Sequence, residues 1–211
     1  MISAEAQPVG AGAFRVVNDF ARSTSWLHGA AIAVATYGVA VMALLAVAVA
    51  LVSRSRGSAR GVAASVWGVL AALLALFLNQ PISHLVGERR PFVTLPNVLL
   101  LVPHGTDFGF ASDHSIIAGA VAAGLLIAYR RWGLAAALCA VLIAFSRTYI
   151  GVHFPQDVVA GLLLGALVTW VGWRLLGGLL VRAVAALARG RGAWLVRSPG
   201  APTVPGDRVT A

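Results

Sequence analysis

His153 and Asp157 stand four residues apart near the last quarter of the chain, and Arg147 stands six residues before the histidine. A histidine with a carboxylate one helical turn away is an oriented nucleophile or base. A guanidinium is a forked donor that matches phosphate oxygens. The stretch that carries them, Phe145 to Asp157, leaves one very apolar segment and enters another. Ionisable groups in such surroundings mark a functional site. Two more sets share this character: Glu88-Arg89-Arg90-Pro91, and Phe110-Ala111-Ser112-Asp113-His114-Ser115. Ser112 suits an N-cap, and the helix it opens would aim free N–H groups and its positive dipole end at an anion. Arg90 and Arg147 can clamp phosphoryl oxygens and offset charge that builds during transfer. Pro155 suits the first turn of a helix, which brings Asp157 within a turn of His153 to hold the second imidazole nitrogen. His114 is a second group able to give or take a proton near neutral pH. Each set alone has a plainer reading, as an interfacial histidine, a loop or a helix cap. What joins them is that each begins or ends an apolar segment on one common face. His84 and His104 fall on that face too and read as interfacial polar residues.

The elements that must position these groups are apolar helices. The chain has 211 residues, 59% hydrophobic and 11% charged, with a mean hydropathy of +0.87. A soluble domain carries roughly 25% charge, so the composition implies an integral membrane protein. Net charge is +9, and all 16 basic residues are arginine. Their spread along loops reads as membrane topology and excludes a nucleic-acid partner, which would need one basic soluble face. Cys139 lies alone in an apolar run and reads as a packed residue. Residues 1–25 lack a basic region followed by a short apolar stretch, so no cleavable signal peptide is expected.

The predicted fold is all-α: a polytopic membrane helix bundle of about five transmembrane helices, with an N-terminal interfacial helix and an outer loop. Residues 1–10 read as disordered, and 11–25 as an amphipathic interfacial helix or an unstructured lead-in. Spans are expected near 26–52, 61–86, 112–129, 133–150 and from 155 to 176 or beyond, the first of them long enough to cross a ~30 Å hydrocarbon core with tilt. Trp26 and His28 suit the interface at the first entrance. Residues 87–111 hold Pro91, Pro96 and Pro103 and read as a loop with a re-entrant or interfacial segment covering a site. A sixth span would have to lie within 1–25 or 91–104. The organisation is therefore a lead-in at 1–25, a transmembrane body at 26–185 and a basic, disordered cytoplasmic tail at 186–211. With five spans, Arg54, Arg56, Arg60, Arg130, Arg131 and the arginines from Arg174 onward share one side, the cytoplasm by the positive-inside rule. The opposite side receives six of the seven acidic residues and all three polar sets.

These residues resemble the type 2 phosphatidic acid phosphatase superfamily. Ser146-Arg147, five residues, His153, three residues and Asp157 match its third signature in full. Ser112-Asp113-His114 is similar to the second, Pro-Ser-x-His, with Ala111 in place of proline. Arg90-Pro91 is similar to the end of the first, whose lysine falls on Ser83. The sequence has no lysine at all, and His84 and Arg89 are the neighbours that could take over its phosphate contact. The resemblance implies that His153 attacks phosphorus and forms a phosphohistidine. It implies that His114 protonates the leaving oxygen and then activates water, and that Asp157 orients His153. Arg90, Arg147, Ser112 and Asp113, with Ser83 at the lysine position, would bind phosphate. No metal and no cofactor is implied. Phe110 to Ser115, Asn18 to Arg22 and the outside N-terminus further resemble bacitracin-resistance-type undecaprenyl pyrophosphate phosphatases. The implied substrate is a polyprenyl pyrophosphate on the outer leaflet of a bacterial plasma membrane. Phosphatidic acid or phosphatidylglycerol phosphate phosphatases of the same fold are alternatives, as is a silent relative that only binds lipid phosphate. A transporter would need broken or charged helices at mid-membrane, whereas the polar residues here gather at one end.

Overall fold

The computed structural model describes residues 8–189. It contains seven α-helices: α1 (Ala11–Ser23), α2 (His28–Ser55), α3 (Ala59–Val86), α4 (Pro91–Thr94), α5 (Asp113–Ala128), α6 (Arg130–Tyr149) and α7 (Pro155–Arg189). A single 3₁₀ turn, Ser25–Leu27, joins α1 to α2. The described residues form no strand, and Arg89 and Phe108 make one isolated antiparallel bridge. The expected all-α membrane bundle is what the chain adopts. Four segments, Ser25–Ser55, Ala59–Val86, Arg130–Tyr149 and Pro155–Arg189, are long and apolar enough to cross a membrane.

The remaining expected span, the third along the chain, is α5, and it is shorter. Its 16 residues rise about 24 Å at 1.5 Å per residue. The helix tolerates this because it is the axis of the bundle, walled by α3, α6 and α7. Its small residues decide that. A Cβ on Gly119 would meet the Leu162 carbonyl of α7, and one on Gly165 of α7 would meet the Ile116 carbonyl. Close backbone approach of this kind replaces the hydrophobic drive that helices lack in lipid. The bundle is accordingly small inside and large outside. Ala71, Ala75, Ala118, Ala120 and Ala136 are buried, whereas Leu44, Leu73, Phe77, Leu138 and Leu163 are exposed to what would be lipid.

The terminal regions differ in detail from expectation. Within the segment 11–25, Ala11–Ser23 is a helix, and its buried face docks on protein. Phe14 meets Phe154 edge-on at 5.5 Å between ring centroids, and Asn18 pairs with both backbone groups of Leu99 at 2.9 Å. Val16 and Phe20 remain exposed. At the other end α7 runs unbroken to Arg189, four residues into the expected tail. The rest of that expectation, like the disorder expected before residue 8, lies outside the described residues. Cys139 is half-buried against the core formed by α2, α5 and α6.

Candidate active site

All three polar sets converge at one end of the bundle, and backbone contacts explain how. The Ser112 N–H donates to the Asp157 carbonyl at 3.1 Å, which ties the start of α5 to the start of α7. The Gly109 N–H donates to the Glu88 carbonyl at 2.8 Å and closes the outer loop back onto the end of α3. Asn79, buried within α3, joins the first set to the second. Its amide donates to the Ala111 carbonyl at 3.0 Å and to the Asp113 carboxylate at 3.1 Å, and its oxygen accepts from the Ala111 N–H at 3.2 Å. The turn between α6 and α7 depends on Gly151, whose φ of +92° lies in the left-handed region. A Cβ there would also strike the Leu99 carbonyl, so this turn and the outer loop pack only through glycine.

A cavity of about 340 Å³ opens between these pieces. Arg90, His114, Arg147 and His153 line it, together with Asp113 and Ser83. His153 and Asp157 are buried, and Nδ1 of the ring lies 3.3 Å from Asp157 Oδ2. The same oxygen accepts the Phe154 N–H at 2.9 Å. Nη1 of Arg90 lies 3.2 Å from His153 Nε2. A guanidinium can only donate, so Nε2 is the acceptor and Nδ1 carries the proton toward Asp157. Burial, then the positive charges of Arg147 and Arg90, hold the His153 pKa well below the usual histidine range. The ring is therefore neutral, with its lone pair at the cavity.

Both arginines are buried, 5% exposed for Arg90 and 6% for Arg147. The Arg90 fork is engaged by Asp107, with Nε and Nη2 at 3.2 and 2.9 Å from its two oxygens. This hydrogen bonding holds the Asp107 carboxyl below its ordinary pKa. A carboxylate in two-pronged contact presents the oxygen geometry that a phosphate would. Arg147 has no carboxylate partner among the described residues. Its Nη2 donates to Nε2 of His104 at 3.2 Å, and its Nε is buried with no partner. His104 is thus a neutral acceptor, and burial followed by the Arg90 charge lowers its pKa.

Six of the eight residues singled out from sequence face one space. Asp157 and Ser112 stand behind it. Ser112 is the N-cap residue of α5, but its side chain makes no capping bond, and its Oγ is buried without a partner. Of the neighbours considered in place of lysine, His84 lines the cavity and Arg89 does not. The sequence reading treated His104 as interfacial, and the fold places it against Arg147. The polar end of α3, Asn79 to His84, suggests from sequence a helix end that lines a wet cavity, and Asn79, Gln80, Ser83 and His84 do line it; Asp107 drew no such reading. The signal for Asp107 was a carboxylate in a proline-rich loop. Among the described residues no group of three or more His, Cys, Asp or Glu side chains is placed to hold a metal.

Known proteins share both the fold and these sequences. Residues 64–179 match the profile of the PAP2 superfamily. The chain is 32% identical over 155 residues to the bacitracin transport permease protein BcrC of Bacillus licheniformis, covering 74% of each chain. It is 32% identical to the putative undecaprenyl-diphosphatase YbjG of Escherichia coli, over 78% of this chain and 82% of that one. It is 27% identical to the undecaprenyl-diphosphatase BcrC of Bacillus subtilis, over 76% and 81%. Among solved structures, a transmembrane PAP2-type phosphatidylglycerolphosphate phosphatase from Bacillus subtilis superposes with a TM-score of 0.60 at 22% identity, covering 90% of this chain and 92% of that one. The motifs, the helix bundle and these matches agree, and the chain belongs to the PAP2 superfamily as an integral membrane lipid phosphatase.

Proposed function

We propose that the protein removes the terminal phosphate of undecaprenyl, or another polyprenyl, diphosphate through a phosphohistidine at His153. The observation that carries this is the neutral Nε2 of His153 opening into a cavity flanked by two buried guanidinium groups. The Nε2 lone pair attacks the terminal phosphorus. The bond from phosphorus to the bridging oxygen breaks, and its electron pair leaves with the lipid monophosphate. His114 takes up a proton as the bound substrate's negative charge offsets that of the arginines, gives it to that leaving oxygen and then takes one from water. The hydroxide attacks phosphorus, the N–P bond breaks, and its electrons return to Nε2 as inorganic phosphate departs. Asp157 holds the Nδ1 proton and so the ring orientation. Arg90 and Arg147 bind the phosphoryl oxygens and stabilise the charge of the transition state. Ser112, with the N–H groups around Asp113 at the helix start, adds donors. Ser83 supplies a polar wall where a signature lysine would stand. The arginines supply the positive charge that a metal supplies in other phosphatases, and neither metal nor cofactor enters the scheme.

The relatives named for undecaprenyl diphosphate match over most of the chain, which supports that substrate class. The arginine-rich loops at the other end of the bundle support an extracytoplasmic site on a bacterial plasma membrane. The test is phosphate release by the purified protein from a lipid panel in EDTA. Undecaprenyl diphosphate is expected to turn over fastest, ahead of phosphatidic acid and phosphatidylglycerol phosphate, with no loss in chelator. Faster release from another lipid overturns the substrate. No release from any lipid, by folded protein, overturns the hydrolytic scheme and favours a silent binder.

A further inference from the structure

We propose that Glu88 is a positioning residue for His153: a carboxylic acid, neutral in the working enzyme, that donates its proton to Oδ1 of Asp157. The proposal rests on the reading of His153 as the nucleophile. Asp157 is fully buried, and its two oxygens are treated unequally. Oδ2 takes the His153 ring and the Phe154 N–H. Oδ1 is buried with no donor from any described N–H or hydroxyl group. The nearest unused acid is Glu88: its Oε1 is bonded to Gln156, the chain neighbour of Asp157, and Gly109 is packed against both the Glu88 carbonyl and the Asp157 carboxylate, so the two carboxyls are neighbours. Two carboxylates this close do not both stay ionised, and a shared proton resolves the conflict.

The surroundings fix which carboxyl keeps the proton. Asp157 is surrounded by donors to its charged form, whereas Glu88 is in no ion pair among the described residues. Glu88 Oε1 accepts from Gln156 Nε2 at 2.7 Å, and the same nitrogen donates to the Val9 carbonyl at 2.6 Å. This leaves Oε2 for a proton shared with Asp157. The other charged groups nearby are already engaged. Arg90 is bound to Asp107 and His153, and Arg89 is exposed. From α7 Glu88 faces Asp157 and the neutral Gln156, from the N-terminal segment the Val9 carbonyl, and from the outer loop the Gly109 backbone. Burial, followed by the charge of Asp157, pushes the Glu88 pKa up to about 7. Below that pH the acid donates. Above it Glu88 ionises, Asp157 faces a like charge, and its hold on the imidazole loosens. Activity therefore falls on the alkaline side.

The experiment compares wild type, Glu88→Gln and Glu88→Ala as full chains in phospholipid–detergent micelles. An amide donates at every pH. Glu88→Gln is expected to restore most of the activity that Glu88→Ala loses at pH 6, and to remove the alkaline fall near pH 7. Glu88→Ala is expected to lower kcat about tenfold with little change in KM, the pattern of an interaction made only at the transition state. A glutamine variant as weak as the alanine variant, or one with the wild-type alkaline limb, overturns the proposal. Infrared difference spectra of wild type against Glu88→Gln read the proton without turnover. A protonated carboxyl stretch present at pH 6 and lost near pH 7 is expected, and its absence at pH 6 overturns the proposal. If that band is present but no lipid is hydrolysed, the carboxyl pair stands and the phosphatase reading falls.

Discussion

Arginine is used in two opposite ways at the two ends of this bundle. At one end Arg56, Arg60 and Arg174 are exposed and lie over the rings of Tyr129, Trp173 and Trp170, 5.5 to 5.9 Å from the centroids. Such cations keep their water, and each contact contributes about 0.5–1 kcal/mol. At the other end Arg90 and Arg147 are stripped of water within a cavity wall. Removing a charge from water costs several kcal/mol unless it is paired. Arg90 is paired with an exposed carboxylate, and Arg147 with a neutral histidine. A chain that needed arginine only for topology would place all of it like the first set. The buried pair is the arrangement that an anionic substrate repays on binding.

Substitutions at five positions test this contrast, in descending order of effect. His153→Ala removes the nucleophile and should lower kcat/KM by about 10⁴-fold, near the floor left by binding alone; loss of less than tenfold would mean that the ring is structural. Arg147→Ala and Arg90→Ala should each cost about 10²–10³-fold in phosphate release. Lysine at either position should recover little, because the fork is lost. Asp107→Asn should lower KM several-fold with kcat nearly unchanged, because the carboxylate occupies the Arg90 donors that the substrate needs. A raised KM would make Asp107 part of substrate binding. Arg60→Gln, at the far end, should leave kcat/KM within about twofold and cost about 0.5–1 kcal/mol in thermal or denaturant stability. An effect on turnover as large as that of Arg90 would erase the distinction between the ends.

The fold was legible wherever apolar length decided it. Spans α2, α3 and α6 lie where hydropathy places them, and the N-terminal shift of α3 to Ala59 follows from Ser58, whose Oγ accepts the Gly61 N–H at 3.1 Å. The extent of α7 was less legible, because Leu179 to Ala186, apolar apart from Arg182, stay helix-forming past the length a membrane requires. The role of α1 was hidden for a different reason. An amphipathic pattern states that one face is buried and does not say whether lipid or protein buries it. At the site, Arg90, His114, Arg147, His153 and Asp157 declared themselves as charges at the ends of apolar segments. The contacts of Asp107, His104 and Glu88 did not show, since a loop has no periodicity to fix where its side chains point. Their positions depend on long-range bonds, from Asn79 to Ala111 and from Gly109 to Glu88, that no local pattern encodes.

The central claim is that Nε2 of His153 becomes covalently bonded to phosphorus. The direct measurement is a rapid quench of the protein with undecaprenyl diphosphate labelled in its terminal phosphate, followed by assay of label on the polypeptide. Wild type should hold a transient label that is stable in alkali and lost in acid, as a phosphohistidine is. His114→Ala, which cannot activate water for the second step, should accumulate it, and His153→Ala should hold none. Phosphate release by wild type with no such label in either wild type or His114→Ala, or a label that survives in His153→Ala, would contradict the account.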